Sequence, residues 1–138
     1  MISESKIIVR YAETDKMGIV HHSVYPIWYE VGRTDFTKQI GIPYAYMEEI
    51  GILTPLVELT CKYIEPADYE DELIIKTKIK KLTPARIIFE YEVLKNDKII
   101  NIGSTTHALV GKDLRPMNMK KNYPEIYEKL KQCEETIC

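Results

Sequence analysis

Arg10-Tyr11-Ala12-Glu13-Thr14-Asp15-Lys16-Met17-Gly18-Ile19-Val20-His21-His22, running on to Tyr25 and Trp28, decides how this chain is read. It crowds an acid, two histidines and two tyrosines around one glycine, between an apolar run and a segment of helical periodicity. At a strand-to-helix junction, polar groups project past the sheet edge. The unbonded amides of a helix start lie close by and favour developing negative charge.

Outward from this stretch, residues 7–11 are expected to form a first strand, closed by the polar turn around Asp15 and Gly18. A helix is expected over residues 23–40, with Val24, Ile27, Trp28, Val31, Phe36 and Ile40 at its apolar spacing. Ser23 suits its N-cap, Pro26 fits its first turn, and Gly41 is placed to stop it. A short helix follows over residues 44–50.

From there the period changes to two. Val57, Leu59, Cys61 and Tyr63 share one strand face; Leu73, Ile75, Thr77 and Ile79 oppose Lys76, Lys78 and Lys80 on the next; Ile87, Phe89, Tyr91 and Val93 repeat the pattern. Thr83-Pro84-Ala85 and Asn96-Asp97-Lys98 turn between strands, and residues 99–110 form the most apolar strand. A tail helix is expected over residues 122–133, with Asn122 and Glu125 at capping-box spacing. One long helix between a first strand and an antiparallel remainder makes an α+β fold, with the helix across one sheet face.

The bulk numbers set limits. A chain of 138 residues is expected to be one domain, with 45% hydrophobic and 29% charged residues. A net charge of −2 gives no nucleic-acid footprint. No basic start leads into an apolar run, and no stretch approaches the ~20 apolar residues of a membrane span. Cys61, Cys133 and Cys138 are odd in number and lack metal-ligand spacing, which suits a reducing cytoplasm. Cys61 is expected to be a buried strand residue. The adjacent His21 and His22, with His107 as the third histidine, make no metal site, and no cofactor motif is present. No G-x-S-x-G elbow suggests a serine hydrolase.

The quoted stretch, as R-Y-x-E-T-D-x-x-G-x-V-x-H-x-x-Y, resembles the N-terminal signature of the hotdog-fold acyl-CoA thioesterases of the 4-hydroxybenzoyl-CoA thioesterase type. Within them it is most similar to the small bacterial branch associated with the Tol-Pal cluster. The resemblance implies a curled antiparallel sheet wrapped around a central helix. It also implies hydrolysis of acyl-CoA, or of acyl carrier protein thioesters, by a homodimer or homotetramer paired at sheet edges.

Carried over residue by residue, Asp15 is the catalytic acid, acting as general base on water or as nucleophile. The oxyanion amide falls at His22, whose side chain, like Tyr11, takes a supporting role. Tyr25 is a substrate-binding candidate, although packing of the helix onto the sheet is the favoured role for it and for Trp28. Where relatives often carry Asn, this chain has Val24. Asp15 also fits a plain turn cap, and Glu30 and Glu58 are reserve carboxylates. Arg86 and Arg115, with Lys80, Lys81 and Lys112, are candidates for a rim binding the coenzyme phosphates. A hydratase or dehydratase, and a non-catalytic acyl-CoA-binding regulator, are the other readings.

Overall fold

The computed structural model describes residues 1–134, so Cys138 lies outside the described part. Strand β1 (Ile2–Ile8) leads through two single-turn 3-10 helices (Tyr11–Glu13 and His22–Val24) into α1 (Tyr25–Gln39) and α2 (Tyr44–Ile50). Four strands follow: β2 (Leu56–Tyr63), β3 (Glu72–Leu82), β4 (Arg86–Lys95) and β5 (Lys98–Ala108). Helices α3 (Met119–Asn122) and α4 (Pro124–Gln132) come last. The strands form one five-stranded antiparallel sheet in the order β1-β3-β4-β5-β2. Helix α1 lies across its inner face. This is the α+β architecture that the alternation and the resemblance both imply.

The β3–β4–β5 meander follows the period-two pattern closely. Leu73, Ile75, Thr77 and Ile79 are buried under α1, as are Ile87, Phe89, Tyr91 and Val93. Lys78 and Glu90 face each other on the outer side, 3.9 Å apart. Asn96 and Asp97 both have positive φ, as a two-residue hairpin turn requires.

Three expectations about boundaries are corrected. The first strand ends where it was expected to begin. Its inward face is Ser3 and Ser5, while Ile2 and Ile8 are 54% exposed, so the apolar residues do not mark the buried positions. Small residues suit this face because α1 passes very close to it. A Cβ on Gly32 would overlap Thr77 Oγ1, and Ser3 pairs with Thr77 across the β1–β3 ladder. The hydroxyls of Ser3, Ser5 and Thr77 are sealed here without a partner among the described residues.

Helix α1 starts at Tyr25, and Ser23 is not its cap. His21 takes that part for the preceding turn, its Nδ1 accepting from Ser23 N at 3.2 Å. The buried stripe of α1 is Tyr25, Trp28, Tyr29, Gly32, Phe36 and Thr37, so Ile27 is 55% exposed on the opposite face. Gly41, with φ +80, does end the helix region. In the tail, Asn118 caps α3 and Pro124 opens α4, so Asn122 caps nothing. Cys61 is half-buried rather than buried, with its Sγ 3.3 Å from Tyr29 Oη.

Beneath α1, Tyr29 stacks on Tyr91 at 4.3 Å and donates to Asn101 Oδ1. Tyr91 Oη accepts from Arg33 at 3.2 Å and meets Thr105 Oγ1 at 2.5 Å, and Thr105 in turn meets His107 Nε2 at 2.9 Å. Burial and the Arg33 charge pull His107 down to about 4, which keeps this buried network neutral at its inner end. The helix is thus held by shape and by directed bonds together.

Candidate active site

Between β1 and α1 the chain makes a tight excursion, and one buried carboxylate organises it. Glu13 is 6% exposed. Its Oε1 accepts from Arg10 N at 2.8 Å, and its Oε2 accepts from Trp28 Nε1 at 3.0 Å and from Arg10 Nη2 at 3.4 Å. Burial alone would raise this carboxyl, but the bonds from Arg10 and Trp28 outweigh it and hold the carboxyl below its ordinary range. His21 N also donates to Glu13 O at 2.9 Å. Glu13 therefore fixes the excursion at both ends and ties it to the first turn of α1.

Beyond Glu13, Thr14 bridges Val20 and the chain turns at Asp15. Asp15 N donates to Ile19 O and Gly18 N to Asp15 O, each at 3.0 Å, and Gly18 takes φ +80. Asp15 Oδ1 accepts from Met17 N at 2.8 Å, the Asx bond expected of a turn cap. Capping uses one oxygen. The other takes no donor among the described residues, so the turn aims half a carboxylate at solvent.

What it aims into is a cleft of about 340 Å³. Asp15, His22 and Tyr25 line one side, and Tyr63, Ile64 and Glu65 from the end of β2 line the other. The His22 amide opens the 3-10 turn before α1 and so has no acceptor within that helix. Tyr63 Oη donates to His22 O at 2.7 Å, pinning the helix start to the edge of the sheet. The His22 ring lies exposed, 4.1 Å from the His21 ring. A carboxylate, the residue that opens the helix-start turn and an apolar wall line one cavity, which is the equipment for attack on an activated carbonyl.

The structure does not bring the other sequence candidates here. Tyr11 is 77% exposed and packs edge-on against Tyr69 at 5.8 Å, away from the cleft. Arg86 opens β4 opposite Ala108, and Arg115 lies in the loop after β5, joined to Asp113 Oδ1 through its amide. The cleft sits at the other end of the sheet, where Tyr63 pairs with Asn101; along β5 that is roughly 24 Å away. Glu30 belongs to the outer face of α1 with Ile27 and Val31, and Glu58 is exposed on β2; neither lines the cleft. Lys80 is held at 4.0 Å from Glu90. Val24 is buried, so no polar side chain stands where relatives carry Asn.

The part that Glu13 plays was not legible in the motif that contains it. The local signal was its i,i+3 spacing from Arg10. Glu13→Ala strands the Trp28 indole N–H in the core, so it should lower stability by about 2–3 kcal/mol in thermal unfolding. Trp28→Phe should then cost less in that background than in the parent, because both changes remove one shared bond. Equal costs in the two backgrounds would show that the bond carries nothing.

A family profile described as the thioesterase-like superfamily matches residues 9–132. YneP of Bacillus subtilis (strain 168), whose own assignment as an acyl-CoA thioesterase is provisional, is 35% identical over 136 residues, covering 95% of this chain and 99% of YneP. The acyl-CoA thioesterase YbgC of Haemophilus influenzae is 25% identical, covering 89% of this chain and 92% of its own. Among solved structures, a DHNA-CoA thioesterase from Staphylococcus aureus superposes with a TM-score of 0.91 at 32% identity, covering 95% of this chain and 89% of that one. With this fold, this loop and these relatives, the chain belongs to the thioesterase-like superfamily.

Proposed function

We propose that the protein hydrolyses the thioester of an acyl-CoA to the free acid and coenzyme A. The observation that carries the reading is that Asp15, with one carboxylate oxygen taking no donor among the described residues, and His22, which opens the turn before α1, line one cleft. Asp15 either removes a proton from the attacking water or adds to the carbonyl itself, giving an anhydride that water then opens. In both routes the carbonyl oxygen gains negative charge, and the His22 amide is the group facing it. The thiolate leaves and takes up a proton. The activity of the relatives named above supports the same chemistry. The spacing from Arg10 through His22 supports the 4-hydroxybenzoyl-CoA thioesterase type within the superfamily. Free thiols at Cys61 and Cys133 support a reducing compartment, the cytoplasm.

The active unit of this proposal is a symmetric oligomer. Strand β2 is an edge, and on it Leu56, Val57 and Tyr63 are 50%, 52% and 49% exposed. Such an edge is a template for pairing with a second copy. Two-fold pairing of β2 with β2 sets the Leu56 end of one copy against the Tyr63 end of the other. It carries the arginine end of a second copy towards this cleft. That removes the difficulty that, within one chain, Arg86 and Arg115 are far from Asp15.

Asp15→Asn should abolish hydrolysis across a panel of acyl-CoA esters assayed by thiol release. Its unfolding midpoint should be nearly unchanged, because the amide oxygen can still cap Met17 N. An unaltered kcat would remove Asp15 from the chemistry. His22→Ala should cost less, since the main-chain amide survives it.

In light scattering at micromolar concentration the protein should exceed the 16.1 kDa of one chain at least twofold. Arg86→Ala and Arg115→Ala should raise KM for acyl-CoA several-fold, leave kcat nearly unchanged, and have little effect on a short thioester lacking the nucleotide. A single-chain mass, or equal losses on both substrates, would contradict this arrangement.

A further inference from the structure

The best-buried polar side chain of the cleft has no hydrogen-bond partner among the described residues. Tyr25 is 2% exposed and its ring is clasped edge-on by Trp28 at 4.9 Å and by Tyr63 at 5.3 Å. Comparable tyrosines are satisfied: Tyr29 donates to Asn101, Tyr91 meets Thr105 and Arg33, and Tyr63 donates to His22 O. Among the described residues nothing bonds the Tyr25 hydroxyl. It is not sealed in the core as those of Ser3, Ser5 and Thr77 are, and it belongs to a residue that lines the Asp15 cleft. A buried phenol with no partner among the described residues, on a side chain that lines a cavity, is a candidate to bond a ligand atom.

Its position says which atom. Tyr25 is the first residue of α1, and helical side chains lean towards the helix N-terminus, over the preceding turn. That turn begins at His22, three residues earlier, whose amide has no acceptor within the helix. Resting on the thioesterase reading, we infer that the Tyr25 hydroxyl donates a hydrogen bond to the carbonyl oxygen of the bound thioester, as a second donor beside the His22 amide.

The phenol proton stays in place throughout the step. A water oxygen forms a bond to the acyl carbon, Asp15 takes a water proton, and the C=O π pair moves onto oxygen between the two donors. The pair then returns, the C–S bond breaks, and the thiolate recovers the proton from Asp15. Should Asp15 add as nucleophile instead, the same oxygen gains the same charge. Burial, and after it the neighbouring Cys61, push the Tyr25 phenol up to about 12, so it remains a donor throughout the neutral range. This makes Tyr25 a catalytic residue, whereas Trp28 and Tyr63 position it.

Tyr25→Phe is the test, because it keeps the ring contacts and breaks no bond within the protein. Removing one oxyanion donor should lower kcat by roughly 10²-fold and raise KM only several-fold, at an unchanged unfolding midpoint. Two inert analogues separate this role from packing: an acyl-CoA ketone with CH2 in place of sulfur, and a thioether with CH2 in place of the carbonyl. Tyr25→Phe should weaken the ketone several-fold and leave the thioether unchanged. A kcat within twofold of the parent, or equal weakening of both analogues, would overturn the assignment. Asp15→Asn is assayed alongside. An active parent with an inactive Asp15→Asn and a fully active Tyr25→Phe would overturn only the Tyr25 role, whereas a parent inert on every acyl-CoA would overturn the thioesterase reading itself.

Discussion

The bond between the Trp28 indole and the buried Glu13 carboxylate is the constraint on which the site depends. The two halves of the cleft come from different elements, a turn that carries Asp15 and a helix start that carries His22. Neither has a reason of its own to face the other. Glu13 joins them: it accepts from Arg10 where the chain leaves β1 and from Trp28 on α1, and its carbonyl receives His21 N. Withdrawing a carboxylate from water is costly, and three donors offset the cost. From Trp28 the contacts run on through Tyr25 to Tyr63, whose hydroxyl returns to His22 O. The result is a closed ring of contacts around the cleft, with Asp15 on its rim.

That ring needs a helix that cannot slide. Close approach supplies this at two points, because a side chain at Gly32 would strike Thr77 and one at Gly103 would strike the Tyr29 ring. The three sealed hydroxyls of Ser3, Ser5 and Thr77 are what this fit gives up. The neutral His107 end of the Arg33–Tyr91–Thr105 network then anchors the helix to β5 by bonds with direction as well as by volume.

How much of this was legible follows from what each signal measures. Alternation reports a strand buried on one face, so β3 and β4 stood out, while β5 showed as the most apolar run and the alternation of β2 marked a largely exposed edge strand. It failed at β1, where Ser3 and Ser5 face inward because of a helix the strand cannot see. Helical periodicity found α1 but included Ile27, which is exposed. The loop motif located Asp15 and His22, whose closeness is local in the chain. It could not show that Tyr11 points away, nor that Arg86 and Arg115 lie at the far end of the sheet, since both depend on strand register. Glu13 was silent for the same reason: its partner Trp28 is near it only after folding.

Trp28 is the single tryptophan of the chain, so its indole N–H gives one resonance that reports the Glu13 bond directly. Following that resonance and its solvent exchange by NMR while the protein is acidified is the most direct test of the account. The account predicts an N–H protected from exchange, shifting only below the ordinary glutamate value of 4.5, because the folded carboxyl is held lower and its stabilisation is lost as pH falls through that lowered value. An indole that exchanges like free tryptophan at neutral pH, or a midpoint above 4.5, would contradict it.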